Sequence, residues 1–210
     1  MDIWETMKKL AEVQRGFRPI EEEADRLVKG GCQEENLSTA RMLLRSDLHQ
    51  TRMFATLVLG YIASTCPDAL HTLRYEVSLD PDWRVQEMLA KAFAKYCRDV
   101  GYESALPVIE DWLGDQNPNV RRAAVEGLRP WIRSSRLPQQ PQRAVRLLAP
   151  LRADDSQQVR RSVGNALRDL SRRFPDIVRS ELATWDLTDG RVLHTYTLAS
   201  RLLEAPSTAH

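Results

Sequence analysis

The sequence predicts an all-α chain folded as a helical-repeat solenoid. Three observations predict it. The stretches "NVRRAAVEGLR" from Asn119 and "QVRRSVGNALR" from Gln158 lie 39 residues apart and share one register. Taking Val85, Val120, Val159 and Val192 as equivalent gives spacings of 35, 39 and 33 residues, the period of paired-helix repeats. Nowhere does an alternating apolar–polar run stand between hairpin-turn signals, so no strand is predicted.

The elements follow in order. Residues 1–35 are read as an N-terminal helical cap, in which "WETMKKLAEVQRGF" has helical spacing. Residues 36–205 form the repeats, and 206–210 a disordered tail. "HQTRMFATLVLGYIA" from His49 is a weaker early copy. "VQEMLAKAFA", "VRRAAVEGLR" and "VRRSVGNALR" are the clear ones, each preceded by a turn: "DPDW", "DQNPN" and "DDSQQ". "DGRVLHTYTLASRLL" keeps the turn and the apolar rhythm but loses the basic pair. Between them lie partner helices opening at Pro67, Ser104, Gln142 and Pro175. Proline at a helix start is favoured because its missing N–H has no intrahelical partner there. In "LLAPL" the proline comes late and ends or kinks its helix. Helix pairs of this kind describe a HEAT-like α-solenoid, expected to be right-handed, with antiparallel pairs stacked into one continuous core.

Composition narrows the function classes. The chain has 210 residues, 42% hydrophobic and 28% charged, with a formal net charge of +1. That near-neutrality is unevenly spread. From Asn117 to Phe174 thirteen Arg stand against four acids, whereas up to Glu35 the acids lead by nine to six. Such asymmetry points to a face for a polyanion, or to solvated helix faces. Three cysteines with no CxxC predict reduced, buried thiols in a cytoplasmic protein, here expected to associate with the nucleoid. No apolar run approaches the ~18 residues of a membrane span, and the N-terminus lacks a secretory core. His49, His71, His194 and His210 form no HxxxH or HxxE pair, so no metal is expected. No GxGxxG or GK(S/T) loop indicates a nucleotide cofactor, and none is expected.

Register then selects the candidate residues. Arg122, Glu126, Arg129 and Arg133 fall at i, i+4, i+7 and i+11, one stripe of a helix. The next repeat puts Arg161, Asn165, Arg168 and Arg172 at the same points, and the preceding one Glu87, Lys91, Ala94 or Lys95, and Arg98. Stacked, the stripes would make a basic wall, and neutralised phosphates there would release counterions from duplex DNA. Arg121 and Arg160 point instead toward the neighbouring turns, where Asp115 and Asp154 could bind them. Plainer readings stand beside these. Glu87 and Lys91 are an i,i+4 pair contributing ~0.2–0.5 kcal/mol, and Trp83 could seal its helix entry as Trp112 and Trp185 do. The wall could also take an acidic peptide.

The strings "DWRVQEMLAKAFAKYC", "NPNVRRAAVEGLRPW" and "VRRSVGNALRDLSRRFPDIV" together resemble the HEAT-like DNA alkylation repair proteins of the AlkC and AlkD group, over roughly Asp80 to Leu203. The resemblance implies a monomer holding double-stranded DNA, preferentially alkylated, in a concave basic groove. It also implies a glycosylase that hydrolyses the N-glycosidic bond of N3- or N7-alkylated, positively charged purines. The family pairs a Trp with an Asp four residues on; here that place reads Trp83 and Glu87, which would be the catalytic pair. The family's Arg positions fall on Arg122 and Arg168. Lys91, Arg129, Arg133, Asn165 and Arg172 complete the expected DNA contacts. One branch has a second Trp where this chain has Asn165, a departure that bears on substrate range.

Overall fold

The computed structural model describes residues 3–13, 16–134 and 141–203, and among these there are twelve α-helices and no strand. The chain divides into two compact units, Met1–Leu106 and Pro107–His210. The division falls inside a helix that carries Pro107 within it.

The first unit runs α1 (Ile3–Ala11), α2 (Arg18–Gly30), α3 (Gln33–Leu43), α4 (His49–Ile62), α5 (Pro67–Tyr75), a 3-10 turn (Val77–Leu79), α6 (Trp83–Val100) and the start of α7 (Tyr102–Leu113). Helix α4 is its centre, packed by α2, α3 and α6, with α1 and α5 also against it. That placement explains its sequence: Met53, Phe54, Leu57, Val58, Leu59 and Ile62 are all buried, an apolar surface too broad for a helix with one wet face. Gly60 sets the closest approach. A Cβ there would lie 2.5 Å from the Ala92 Cβ and 2.6 Å from its Cα, so the α4 and α6 backbones meet. Of the segment expected to cap the repeats at 1–35, α1 and α2 pack on α4, and residue 35 lies within α3.

The second unit holds the rest of α7, then α8 (Pro118–Arg133), α9 (Pro141–Leu148), a 3-10 segment (Ala149–Ala153), α10 (Gln157–Ser171), α11 (Pro175–Leu182), α12 (Gly190–Ala199) and a final 3-10 turn (Ser200–Leu202). Helix α10 lies between α8 and α12, with α9 and α11 on its other side. Pro150 does end α9, and a 3-10 segment takes over. The tail predicted at 206–210 lies outside the described residues.

One local rule starts the repeat helices. Asp82, Asn117 and Asp189 each sit in extended backbone and accept from the N–H two residues on; Ser156 accepts from Val159. Such caps contribute ~1 kcal/mol each by satisfying otherwise unpaired donors. Val85, Val120, Val159 and Val192 are then each the third residue of their helix, and each is buried. Thr51 is the third residue of α4 and is likewise buried, so the weak copy at His49 is a true repeat. Cys66 and Cys97 are buried as expected, and burial pushes the Cys97 thiol up to about 12. Cys32 departs from expectation: it precedes α3 at its exposed entry.

Candidate nucleic-acid interface

The residue after the buried third position fastens α4 and α8 to the turn that follows. In α4, Arg52 donates from Nη1 to the Ser46 and Asp47 carbonyls of its own turn, both at 3.0 Å. Its Nε and Nη2 then grip Asp80, in the next repeat's turn, at 2.6 and 3.2 Å. Arg121 in α8 repeats this bond for bond. Nη1 reaches the Asp115 and Gln116 carbonyls at 2.8 and 2.9 Å, and Nε and Nη2 hold Asp154 at 2.6 and 2.8 Å. The hydrogen bond to the carboxylate raises both guanidinium pKa values. The aspartate does double work, because Asp80 and Asp154 also accept the backbone N–H two residues on. Arg121 and Asp154 thus act as the sequence anticipated. Arg52 and Asp80 were not anticipated, although aligning Thr51 with Val120 puts Arg52 on Arg121. In α6 the position is Gln86, whose amide donates to the Val77 and Asp80 carbonyls.

Within the second unit the expected stripe divides into two kinds of residue. Arg129, expected among the DNA contacts, fastens α8 to α10. Its Nε and Nη2 donate to Asp169 Oδ2 at 2.9 and 2.8 Å, and Nη1 to Glu126 at 2.8 Å. Ser162 of α10 closes the network by donating to the other Glu126 oxygen at 2.7 Å. Burial works against the Arg129 charge, yet Glu126 and Asp169 outweigh it and the pKa is raised. A fork already closed on a buried carboxylate is not offered to a phosphate. The outer stripe differs. Arg133 at the end of α8 and Arg172 just beyond α10 are exposed, and Arg122, Asn165 and Arg168 are half-buried. The Arg168 Nε is buried and meets no acceptor among the described residues.

In the first unit, Trp83 opens α6 and Glu87 follows one turn later on the same face. Trp112 and Trp185 are buried, as sealing tryptophans are, but Trp83 is 67% exposed. A helix seal is therefore the wrong reading of Trp83. The Arg84 guanidinium lies 5.8 Å from its ring centroid, held by Asp82 at 2.9 and 2.7 Å. That hydrogen bond brings the Asp82 carboxyl down to about 2. His49, at the head of α4, is held below its ordinary pKa by burial and then by Arg84. Lys91 turns toward the N-terminal segment: its Nζ bonds Glu21 of α2 and lies 5.3 Å over the Phe17 ring. The expected Lys91 contact to DNA is thus in competition with Glu21. Phe17, at the head of α2, packs under that ammonium.

The fold and these faces define an all-helical repeat protein, fastened by Arg–Asp pairs and carrying exposed cations on successive helices. Among the described residues no helix is long and apolar enough to cross a membrane. The chain belongs to the DNA alkylation repair enzyme family, whose model matches residues 6–200. It is similar to AlkD2 from Streptococcus mutans, at 41% identity over 94% of this chain and 95% of that one, with a TM-score of 0.90. The Pseudomonas fluorescens alkylpurine DNA glycosylase AlkC, solved bound to DNA containing an abasic site analog, shares the fold at 24% identity. There the TM-score is 0.51, with 89% of this chain and 62% of that chain covered. The uncharacterized protein YhaZ of Bacillus subtilis (strain 168) is 36% identical over 93 residues, 40% of this chain and 26% of YhaZ. The chain thus spans about a quarter of that relative's length. Family membership places it in DNA alkylation repair.

Proposed function

We propose that this protein binds duplex DNA through the outer cations of α8 and α10 and excises positively charged N3- or N7-alkylated purines. The exposure of Trp83, one helical turn from Glu87, carries this reading. A large aromatic kept in water beside a carboxylate is costly unless something stacks on it, and a cationic purine is attracted to an aromatic face. Arg133, Arg172, Arg122, Arg168 and Asn165 of the second unit supply phosphate contacts; in the first unit Lys91 supplies one when released from Glu21.

The chemistry needs little from the protein. An alkylated purine carries a positive charge and leaves without being protonated. Water adds through its oxygen to C1′ as the C1′–N9 bond breaks. The bond pair passes to the purine and cancels its charge, and a water proton goes to Glu87 or to solvent. The carboxylate stabilises the oxocarbenium-like sugar on the way. Glu87→Gln keeps the size and removes the charge, so duplex binding is expected to survive while release slows by ~10²–10³. The assay is single-turnover release of 7-methylguanine and 3-methyladenine by wild type, Glu87→Gln and Glu126→Gln. Equal rates for wild type and Glu87→Gln would remove Glu87 from the mechanism. Release by none of the three, with duplex binding intact, would leave a non-catalytic DNA-binding repair protein.

A further inference from the structure

The last Arg of the repeat series is built like the others but lacks their partner. Arg160 in α10 donates from Nη1 to the Asp154 and Asp155 carbonyls at 2.5 and 3.0 Å, the same tie to its own turn that orients Arg52 and Arg121. In those two the Nε edge closes on an aspartate two residues before the next helix cap. Before α12, whose cap is Asp189, that place is Leu187. The aspartate has moved back by one residue to Asp186, where its carboxylate is spent on Thr188, accepting the backbone N–H at 2.9 Å and the hydroxyl at 2.7 Å. The Arg160 Nε is consequently buried with no acceptor among the described residues.

A second orphan group lies beside it. His194, one turn into α12, has its Nδ1 buried with no partner among the described residues. Helix α10, which carries Arg160 and Arg161, packs against α12, and the His194 pKa is lowered by burial, then by these two arginines. Arg161 is exposed. Buried polar atoms are nearly always paired; the Arg160 N–H can only donate, and with a second Arg and an unpaired imidazole nitrogen on the packed helix it asks for an acceptor. The acids nearby are engaged: Asp154 by Arg121, and Asp155 and Asp189 by Arg191.

We infer that Arg160, Arg161 and His194 form an oxyanion site that takes a phosphate group where the earlier repeats take an aspartate. The Nε/Nη2 edge of a guanidinium fits two oxygens of a phosphate as it fits a carboxylate. Arg161 gives the site a second cation and His194 a further ring nitrogen able to donate, more than one carboxylate can use, which favours phosphate. The phosphate is either free or part of a DNA backbone; only the second source rests on the proposed DNA binding.

The test uses the full chain with inorganic phosphate as probe, followed by the His194 imidazole signals in NMR. Wild type is expected to show a saturable shift of those signals. Arg160→Gln weakens apparent affinity by roughly ten- to a hundredfold, as loss of charge-assisted hydrogen bonds implies. Leu187→Asp restores the repeat's own carboxylate, so the phosphate response disappears while the fold gains thermal stability. A duplex that displaces phosphate from His194 identifies the backbone as the source. Simultaneous binding of duplex and phosphate identifies a free anion. No saturable shift in wild type, or a shift that persists unchanged in both variants, overturns the site. So does an acidic peptide that shifts His194 where phosphate does not. Failure of methylated-purine release would leave this result untouched, which keeps the two proposals separable.

Discussion

Replacing Arg129 by Ala separates a fastener from a DNA contact. The substitution removes three hydrogen bonds of 2.8–2.9 Å to two carboxylates. Asp169, whose side chain is only 8% exposed, would be left charged and without its fork. Breaking a buried pair by deleting one partner costs ~3–5 kcal/mol, because the remaining charge stays desolvated. Two features reduce this. Glu126 is 21% exposed and keeps Ser162, and Arg133 already lies 4.0 Å from Asp169 Oδ2 and can move in. The expected loss is ~2–4 kcal/mol. At about 2–4 °C per kcal/mol for a chain of this size, Tm should fall by ~4–16 °C. The assay is thermal unfolding alongside duplex affinity measured over a series of salt concentrations. Arg129→Ala should leave the slope of log K against log salt unchanged. Arg133→Ala and Arg172→Ala should each reduce its magnitude by ~0.9 with little effect on Tm. A normal Tm with a reduced slope for Arg129→Ala would refute the fastener reading and return this residue to the DNA-binding set.

Two further outcomes are expected. Gly60→Ala should destabilise by ~1–3 kcal/mol in chemical denaturation, because the new methyl meets Ala92 backbone, not a movable side-chain end; unchanged stability would mean that α4 and α6 are not in contact there. Asp82, brought down to about 2 from 3.8, binds its proton less readily folded than unfolded. Its stabilisation is therefore present above the ordinary carboxylate range and lost as pH falls from about 4 toward about 2. Asp82→Asn keeps a competent helix cap and removes that charge, so its stability should fall less steeply than wild type across that window; parallel acid limbs would show that the Arg84 pair contributes nothing.

How far the chain could be read before folding depended on whether a feature was local. Helix starts at Asp82, Asn117, Ser156 and Asp189 were legible because a cap needs only a side-chain acceptor near the next free N–H. The repeat was legible because burial of the third residue of each repeat helix leaves Val at a fixed distance from the turn. The pair proposed to be catalytic was legible as a spacing, Trp83 and Glu87, with the roles proposed for it carried by resemblance. The stripe at Arg129 misled for a physical reason. Helical periodicity places a residue on a face but does not say what packs against it, and Asp169 lies forty residues away on α10. Lys91 likewise reads as a free cation until α2 brings Glu21 to it. Sequence alone determined the helices, their period and the supply of arginine. Tertiary structure decided which arginines are spent on carboxylates and which face outward, because charge is satisfied through space: Arg121 finds Asp154, Arg129 finds Asp169, and Arg160, with Leu187 where the repeat would put an aspartate, finds neither.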